Sequence, residues 1–223
     1  IDAAAHAARL FLVADSGPLF RSGELRVEGL ALQERATVEN LANFPPGTPV
    51  TETLLLDFQE RLVKSGLFDH VAVTLEADPA QAAAAPIVVR LSEQARRQLT
   101  TGVGSSANAG PRLTLEGIER RLLGYAATGR GKLEWGRDRQ AFDGEVSSHA
   151  RPGLFRNVVG LTLERLKTDA DTVLSQRLRA GRAQETPRTE RFYFAEYLRD
   201  TRRTDLTRSE TNALTLNGHG IWR

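Results

Sequence analysis

Histidines and strand serines are the side chains in this chain best suited to chemistry, but their spacing does not assemble a site. The four histidines are far apart, so we expect them to be solvated or in turns, not metal ligands. They are His6, His70, His149 and His219. The absence of cysteine excludes thiol catalysis and Cys-ligated zinc. Ser105, Ser147 and Ser148 lie in alternating sequence without a nucleophile elbow. The sequence predicts no enzyme, no metal and no cofactor.

Two further patterns could bind nucleotides or RNA. Gly102 and Gly104 have the spacing of a dinucleotide-binding loop, but a turn and a strand follow them, so the helix N-terminus that would hold phosphate is missing. The Arg-rich stretch 177–203 could bind RNA, with aromatic side chains stacking on bases. These are Phe192, Tyr193, Phe194 and Tyr197. The competing interpretation, a lipid-facing and interfacial aromatic set over a basic barrel lumen, is the one we favour, so we expect no nucleic-acid partner.

The small net charge of +2 hides a strong asymmetry. Residues 1–94 carry 7 basic and 13 acidic side chains, whereas residues 95–223 carry 23 basic and 15 acidic ones. A basic second half could attract nucleic acid or anionic lipid. It could equally form the wet interior of a barrel, where charged and apolar residues alternate.

The first 95 residues predict a small α+β layer. Apolar and polar residues alternate in three short strands, and two helices separate the first strand from the second. Thr51 is a candidate N-cap for the second helix, and Gly66 is suited to the left-handed position that ends it. The predicted elements of the layer are a strand from Gly23 to Gly29, a helix over 33–44, a helix from Thr51 to Gly66, a strand at 70–75, a loop at 77–86 and a strand at 87–91. A further strand at 9–14 is predicted to be the last strand of a preceding module.

After Arg97 the helical period disappears and long alternating segments begin. We predict strands at about 97–107, 111–121, 130–138, 142–150, 157–167, 172–184 and 189–199, with an eighth beginning near 208. These lengths match the roughly 9–11 residues that a tilted strand needs to cross a bilayer. No segment has the roughly 18 consecutive apolar residues of a spanning helix.

One face of these strands is predicted to be apolar and the other strongly polar. A soluble sheet with one face on a core gives the same alternation. The arginines on the polar positions would be costly in a dry core, which favours a membrane sheet with a wet interior. The predicted lipid-facing residues are Leu113, Leu115, Val159, Leu161, Leu163, Leu174 and Leu178.

The order of these segments resembles a known superfamily. Leu25-Arg26-Val27-Glu28-Gly29, Ser65-Gly66-Leu67-Phe68-Asp69 and Ile87-Val88-Val89-Arg90-Leu91 resemble a POTRA domain, the periplasmic repeat of the outer-membrane assembly superfamily. Thr101-Gly102-Val103-Gly104-Ser105-Ser106, followed by Ala109-Gly110-Pro111-Arg112-Leu113, resembles the first hairpin of that superfamily's barrel. Gly110-Pro111-Arg112 and Arg151-Pro152-Gly153 are most similar to the TamA branch, the outer-membrane subunits of translocation and assembly modules. The superfamily usually has an aromatic residue after the second glycine, where this chain has Ser105.

The resemblance implies an α+β POTRA module (β-α-α-β-β) followed by the first part of an antiparallel transmembrane β-barrel. The implied divisions are the end of a preceding POTRA module (1–18), the last POTRA domain (19–95) and the N-terminal half of an outer-membrane barrel (96–223). We expect the chain to be an internal part of a longer protein whose barrel has roughly sixteen strands, within the bacterial range.

The implied function is assembly or translocation of outer-membrane proteins and autotransporters, without bond-making chemistry. The implied partners are the outer-membrane lipid bilayer, client outer-membrane proteins and a TamB-like inner-membrane-anchored protein, with the POTRA part in the periplasm. Another branch, such as BamA or a two-partner secretion transporter, is the close alternative. A soluble Arg-rich nucleic-acid-binding protein is the alternative of another class.

Two strands are candidates for partner contact. A weak seam beside the first barrel strand could be capped by a client strand, because unpaired backbone in hydrocarbon is costly. Glycine also weakens strand pairing. The seam residues are Leu99, Thr101, Gly102, Val103 and Gly104; a barrel corner or an aromatic-packing gap would also explain these glycines. The second candidate, an edge strand for β-augmentation, comprises His70, Val71, Ala72, Val73, Thr74 and Leu75, and an ordinary covered edge is its alternative.

Overall fold

The computed structural model describes residues 17–106, 110–186 and 188–222. It contains a small α+β unit and a large antiparallel sheet. The strand predicted at 9–14 and most of the preceding module lie outside the described residues. No described helix combines the length and the apolar composition needed to cross a membrane.

The α+β unit has the element order strand, helix, helix, strand, strand. Its elements are β1 (Ser22–Glu28), α1 (Arg35–Ala42), α2 (Glu52–Lys64), β2 (Phe68–Leu75) and β3 (Ala85–Glu93). The central strand β3 pairs in parallel with β1 and antiparallel with β2. The stretch that sequence predicts as a loop, 77–86, contains a short 3₁₀ helix at Pro79–Ala84, with Asp78 accepting a hydrogen bond from the backbone N–H of Ala80.

Both helices pack on one face of the three-stranded sheet. Val38, Phe58 and Leu62 are fully buried against Ile87 and Val89 of β3. This apolar burial supplies the stability that helices of this length lack by themselves. The small core therefore holds the helices on the three strands, and the chain passes from β3 of this unit into β4 of the large sheet.

The ends of α2 follow from local chemistry. The Thr51 hydroxyl oxygen accepts a hydrogen bond from the backbone N–H of Leu54 at 3.1 Å, which satisfies one of the free amides of the first turn. After Ser65, Gly66 adopts a φ of 68°, the left-handed conformation that glycine tolerates best. The chain then turns into β2.

The large sheet has eight antiparallel strands in sequence order, each paired with its chain neighbours. They are β4 (Arg97–Ser106), β5 (Gly110–Glu119), β6 (Ala127–Gly136), β7 (Arg139–Ser148), β8 (Phe155–Lys167), β9 (Thr172–Glu185), β10 (Thr189–Arg203) and β11 (Arg208–Trp222). Within the described residues, β4 pairs with β5 alone and β11 with β10 alone. The sheet is therefore open at both edges.

Candidate functional site: the two-faced sheet and its open edge

The register of the large sheet places apolar side chains in continuous rows on one face. Leu115, Leu133, Phe142 and Leu163 lie opposite one another on four successive strands. Another row crosses β8 to β11 and contains Leu161, Leu178, Tyr197 and Leu214. We call this the apolar face. Its side chains are substantially exposed, so no described element of the chain covers them.

All seven residues predicted to face lipid lie on the apolar face. They are Leu113, Leu115, Val159, Leu161, Leu163, Leu174 and Leu178, with exposed fractions of 37–49%. Arg165 and Arg182 share this face near the strand ends. Arg199, in register with Leu163 through Gln176, also lies on this face and is 2.8 Å from Glu210. The structure brings the predicted set together, while contact with lipid stays a prediction.

The opposite face carries ion pairs between neighbouring strands, and we call it the charged face. Lys132 Nζ lies 2.8 Å from Glu116, and Arg139 lies 2.9 Å from Glu134 and 2.6 Å from Glu164. Half-exposed pairs of this kind contribute little individually to stability. In these pairs, each charged side chain has an oppositely charged partner on a neighbouring strand. A dry core could not accept such charges without partners.

A second charged row links three strands. Glu145 of β7 lies 4.0 Å from Arg130 of β6 and 3.4 Å from Arg179 of β9. The guanidinium of Arg179 also lies 5.7 Å from the ring centres of both Phe192 and Phe194. A cation close to aromatic rings is favourable, particularly where water is reduced.

The aromatic stretch of β10 is divided between the two faces, whereas the sequence prediction is a lipid-facing and interfacial set. Successive strand residues point to opposite faces. Tyr193 and Tyr197 lie on the apolar face, whereas Phe192 and Phe194 lie on the charged face beside Arg179. Strand alternation alone predicts this division, but the sequence does not show that Phe192 and Phe194 lie beside Arg179.

The predicted seam residues lie on β4, at one edge of the sheet. Leu99 and Val103 are 69% and 86% exposed, and Thr101 lies between them on the apolar face. A Cβ added at Gly102 would come no closer than 3.8 Å to Thr114, and one at Gly104 no closer than 3.5 Å to Arg112. These glycines are thus not required by close packing, and neither nearest neighbour is aromatic.

Other glycines of the sheet have closer neighbours. A Cβ at Gly181 would lie 2.3 Å from the Tyr193 carbonyl oxygen, and one at Gly144 would lie 2.9 Å from the Phe142 ring. Gly144 and Gly181 thus make room for a neighbouring residue, whereas Gly102 and Gly104 do not. The latter leave β4 with little side-chain packing on the charged face.

The predicted edge strand of the α+β unit is β2, which pairs with β3 alone among the described strands. Val71, Val73 and Leu75 point toward the helices and join the core, while the alternate residues face away. Those alternate residues are His70, Ala72 and Thr74. The free backbone of this edge is available for pairing, and its use by a partner stays a prediction.

The β5–β6 and β7–β8 turns join the large sheet to the α+β unit, and sequence reasoning did not find this junction. Arg120, only 6% exposed, donates through Nε to the Gly66 carbonyl at 2.9 Å and through Nη1 to the Ala95 carbonyl at 2.9 Å. The neighbouring Arg121 donates to the Leu32 carbonyl. These bonds tie the β5–β6 turn to the unit.

The β7–β8 turn inserts into the core of the α+β unit. Leu154 is buried in that core although its φ of 63° is unfavourable for a residue with a side chain. Asn40 of α1 donates to the Ala150 carbonyl at 2.9 Å. Burial of the leucine offsets the backbone strain, and the two parts become one packed body at this point.

His149 lies in the same turn, which is one of the two expected settings for a histidine, but it is not solvated. It is buried, and its Nε2 lies 3.1 Å from the Arg120 carbonyl oxygen and 3.4 Å from the Thr128 hydroxyl. Burial lowers the pKa of His149, which favours the neutral ring with Nε2–H donating to the carbonyl. The described residues contain no cluster of three metal-ligating side chains.

Comparisons with solved structures find this fold in two proteins of low sequence identity. BamA from Haemophilus ducreyi, solved without POTRA domains 1–3, superposes with a TM-score of 0.67 at 11% identity, over 94% of this chain and 45% of that one. CdiB from Acinetobacter baumannii gives a TM-score of 0.62 at 9% identity, over 92% of this chain and 43% of that one. The chain shares their fold and spans less than half of either protein.

Neither a protein-family model nor a curated protein sequence matches the chain. At identities near 10%, the structural likeness defines the fold and no more.

Proposed function

We propose that this chain is part of an outer-membrane barrel that assembles or secretes other proteins. The observation that carries the proposal is the open sheet with one apolar and one charged face, which directly follows an α+β unit and shares its fold with BamA and CdiB. An exposed apolar face of this extent is unfavourable in water and favourable in lipid. The charged face would line a water-filled lumen.

The seam at β4 is the proposed working element. An edge strand in hydrocarbon leaves amides without partners, and each costs several kcal/mol, so the edge must be paired by another strand. Gly102 and Gly104 reduce the side-chain packing of β4, which would make its pairing with a closing strand weak. A client strand could then replace that partner through backbone hydrogen bonds.

The α+β unit is proposed to be a periplasmic POTRA domain. The match with the shortened BamA covers more of this chain than the eight-stranded sheet occupies, which supports including the unit in the likeness. The exposed edge of β2 is the proposed contact for an extended partner segment. A TamA-like role with a TamB-like inner-membrane-anchored partner rests on Gly110-Pro111-Arg112 and Arg151-Pro152-Gly153, and autotransporters would be its clients.

A two-partner secretion transporter is the second candidate. The TM-scores with CdiB and BamA, 0.62 and 0.67, are close, so the fold alone does not separate secretion from assembly. Depletion of the protein distinguishes the two roles. Loss of many outer-membrane barrels indicates assembly, whereas loss of a single secreted protein indicates two-partner secretion.

Disulfide locking tests the seam. Residues 1–223 contain no cysteine, so none of them competes with an introduced pair. Thr101→Cys combined with a cysteine in the closing strand of the whole gene product should stop client assembly until a reductant is added. Thr101→Cys with Leu115→Cys is the matched control, because these residues already lie opposite each other on β4 and β5. Full activity of the locked seam would reject the mechanism.

A further inference from the structure

The β5–β6 turn, residues 120–126, exposes two large apolar side chains beside the α+β unit. Leu123 is 84% exposed and Tyr125 is 72% exposed. An isolated exposed leucine needs no explanation. Here, however, two such residues project from one short turn at the end of the sheet where the α+β unit is attached.

The backbone makes the choice of leucine at position 123 unusual. Its φ of 51° and ψ of 24° lie in the left-handed region, which glycine adopts without the Cβ penalty. The side chain is too exposed to be held by core packing, unlike Leu154. Neither local conformation nor the core therefore accounts for a large apolar residue here.

The turn is held firmly in this conformation. The Tyr125 N–H donates to the Leu122 carbonyl at 2.9 Å, and Arg121 Nε donates to the Gly124 carbonyl at 3.0 Å. Arg120 and Arg121 also bind carbonyls of the α+β unit. Leu123 and Tyr125 thus project from a rigid support that belongs to both parts of the molecule.

The turn continues the apolar face of the large sheet. The Leu122 side chain lies 3.2 Å from the Cβ position of Gly129, a residue that shares the apolar face with Val146 and Val159. Tyr193 and Trp222 lie on the same face toward the same end of their strands, and are 54% and 72% exposed. Tyrosine and tryptophan at this level of a barrel are typical of the membrane–water interface.

We propose that Leu122, Leu123 and Tyr125 insert into the lipid headgroup region of the periplasmic leaflet and hold the α+β unit at a fixed orientation to the membrane. The inference rests on the proposed function, since it requires the apolar face to lie in a bilayer. It adds a lipid contact outside the strands, made by the turn that carries the bonds of Arg120 and Arg121 to the unit.

Single cysteines in the whole gene product test this placement. Leu123→Cys, Leu161→Cys and Leu19→Cys each receive an NBD fluorophore in phosphatidylethanolamine–phosphatidylglycerol vesicles. We expect blue-shifted emission and quenching by nitroxide-bearing lipids at 123 and 161, but water-like emission at 19, which is exposed on the α+β unit. Lipid exposure at 161 with water exposure at 123 overturns the anchor alone. Water exposure at both overturns the proposed function as well.

A second variant separates anchoring from folding. Leu123→Gly keeps the left-handed backbone and removes the apolar side chain, so the fold should be retained. In this background, the emission of NBD on Tyr125→Cys should shift to the red, because water can enter the space that the leucine side chain occupied. Leu206→Gly, which removes a 95% exposed leucine from the turn at the opposite end of the sheet, is the control and should leave the emission unchanged. An unshifted spectrum in the Leu123→Gly protein contradicts the inference.

Discussion

Replacing Leu161 with arginine should destabilise the membrane form of the protein strongly. Leu161 is the middle residue of β8, a central strand, and lies on the apolar face between Gly144 and Leu178. Arginine on the lipid face near the bilayer midplane costs about 2–4 kcal/mol, and the cost falls toward the interfaces. Because Leu161 is mid-strand, we expect a loss near this range.

The neighbouring residue provides the matched control. Thr162 lies on the charged face, where its hydroxyl donates to Asp143 at 2.8 Å. Thr162→Arg loses this hydrogen bond, worth about 1 kcal/mol, and places its cation between Asp143 and Arg177, whose opposite charges offset each other. The free energy of unfolding of both variants of the whole gene product is measured by urea titration in lipid vesicles. Equal losses for the two variants would refute the assignment of the faces.

Three further predictions concern the α+β unit and its junction. Leu154→Ala should destabilise the junction by about 2–5 kcal/mol because it empties part of a shared core; an unchanged urea midpoint would show that the β7–β8 turn is not docked there. Thr51→Ala should cost about 1 kcal/mol through loss of the α2 cap, whereas Thr53→Ala on the exposed side should not, and equal effects would contradict the capping role. Burial lowers the pKa of His149 in the folded protein. The neutral ring therefore contributes stability above the ordinary pKa of about 6.5, and this contribution is lost as the pH falls below that value. The free energy of unfolding should depend less on pH in His149→Gln, and an identical pH dependence would count against this explanation.

The strands of the large sheet are the part of the fold that sequence predicts best. Alternation is a local property, so residues such as Leu113 and Leu161 could be assigned to one face before their partners were known. The α2 cap at Thr51 and the left-handed Gly66 are also local signals. Bounds differ by a few residues, as for β6, predicted at 130–138 and found at Ala127–Gly136, because chain ends depend on turn contacts.

The junction could not be predicted because it depends on contacts between distant residues. Nothing near Leu154 in the sequence indicates that it completes a core built from α1, α2 and β3. His149 is likewise buried only because the β7–β8 turn meets Arg120 of the β5–β6 turn and Thr128 of β6. The positive φ of Leu123 has no sequence signal either, since glycine is the residue that such positions favour.

Residence in the outer membrane is the claim on which the proposed function depends. The whole gene product, carrying a tag, can be followed through fractionation of the native cell envelope with urea and carbonate washes. We predict that it stays in the outer-membrane fraction, because the apolar face of the sheet would be buried in lipid. Release into the soluble fraction would contradict the account, and would leave the Arg-rich sheet as a binding surface for nucleic acid or another partner.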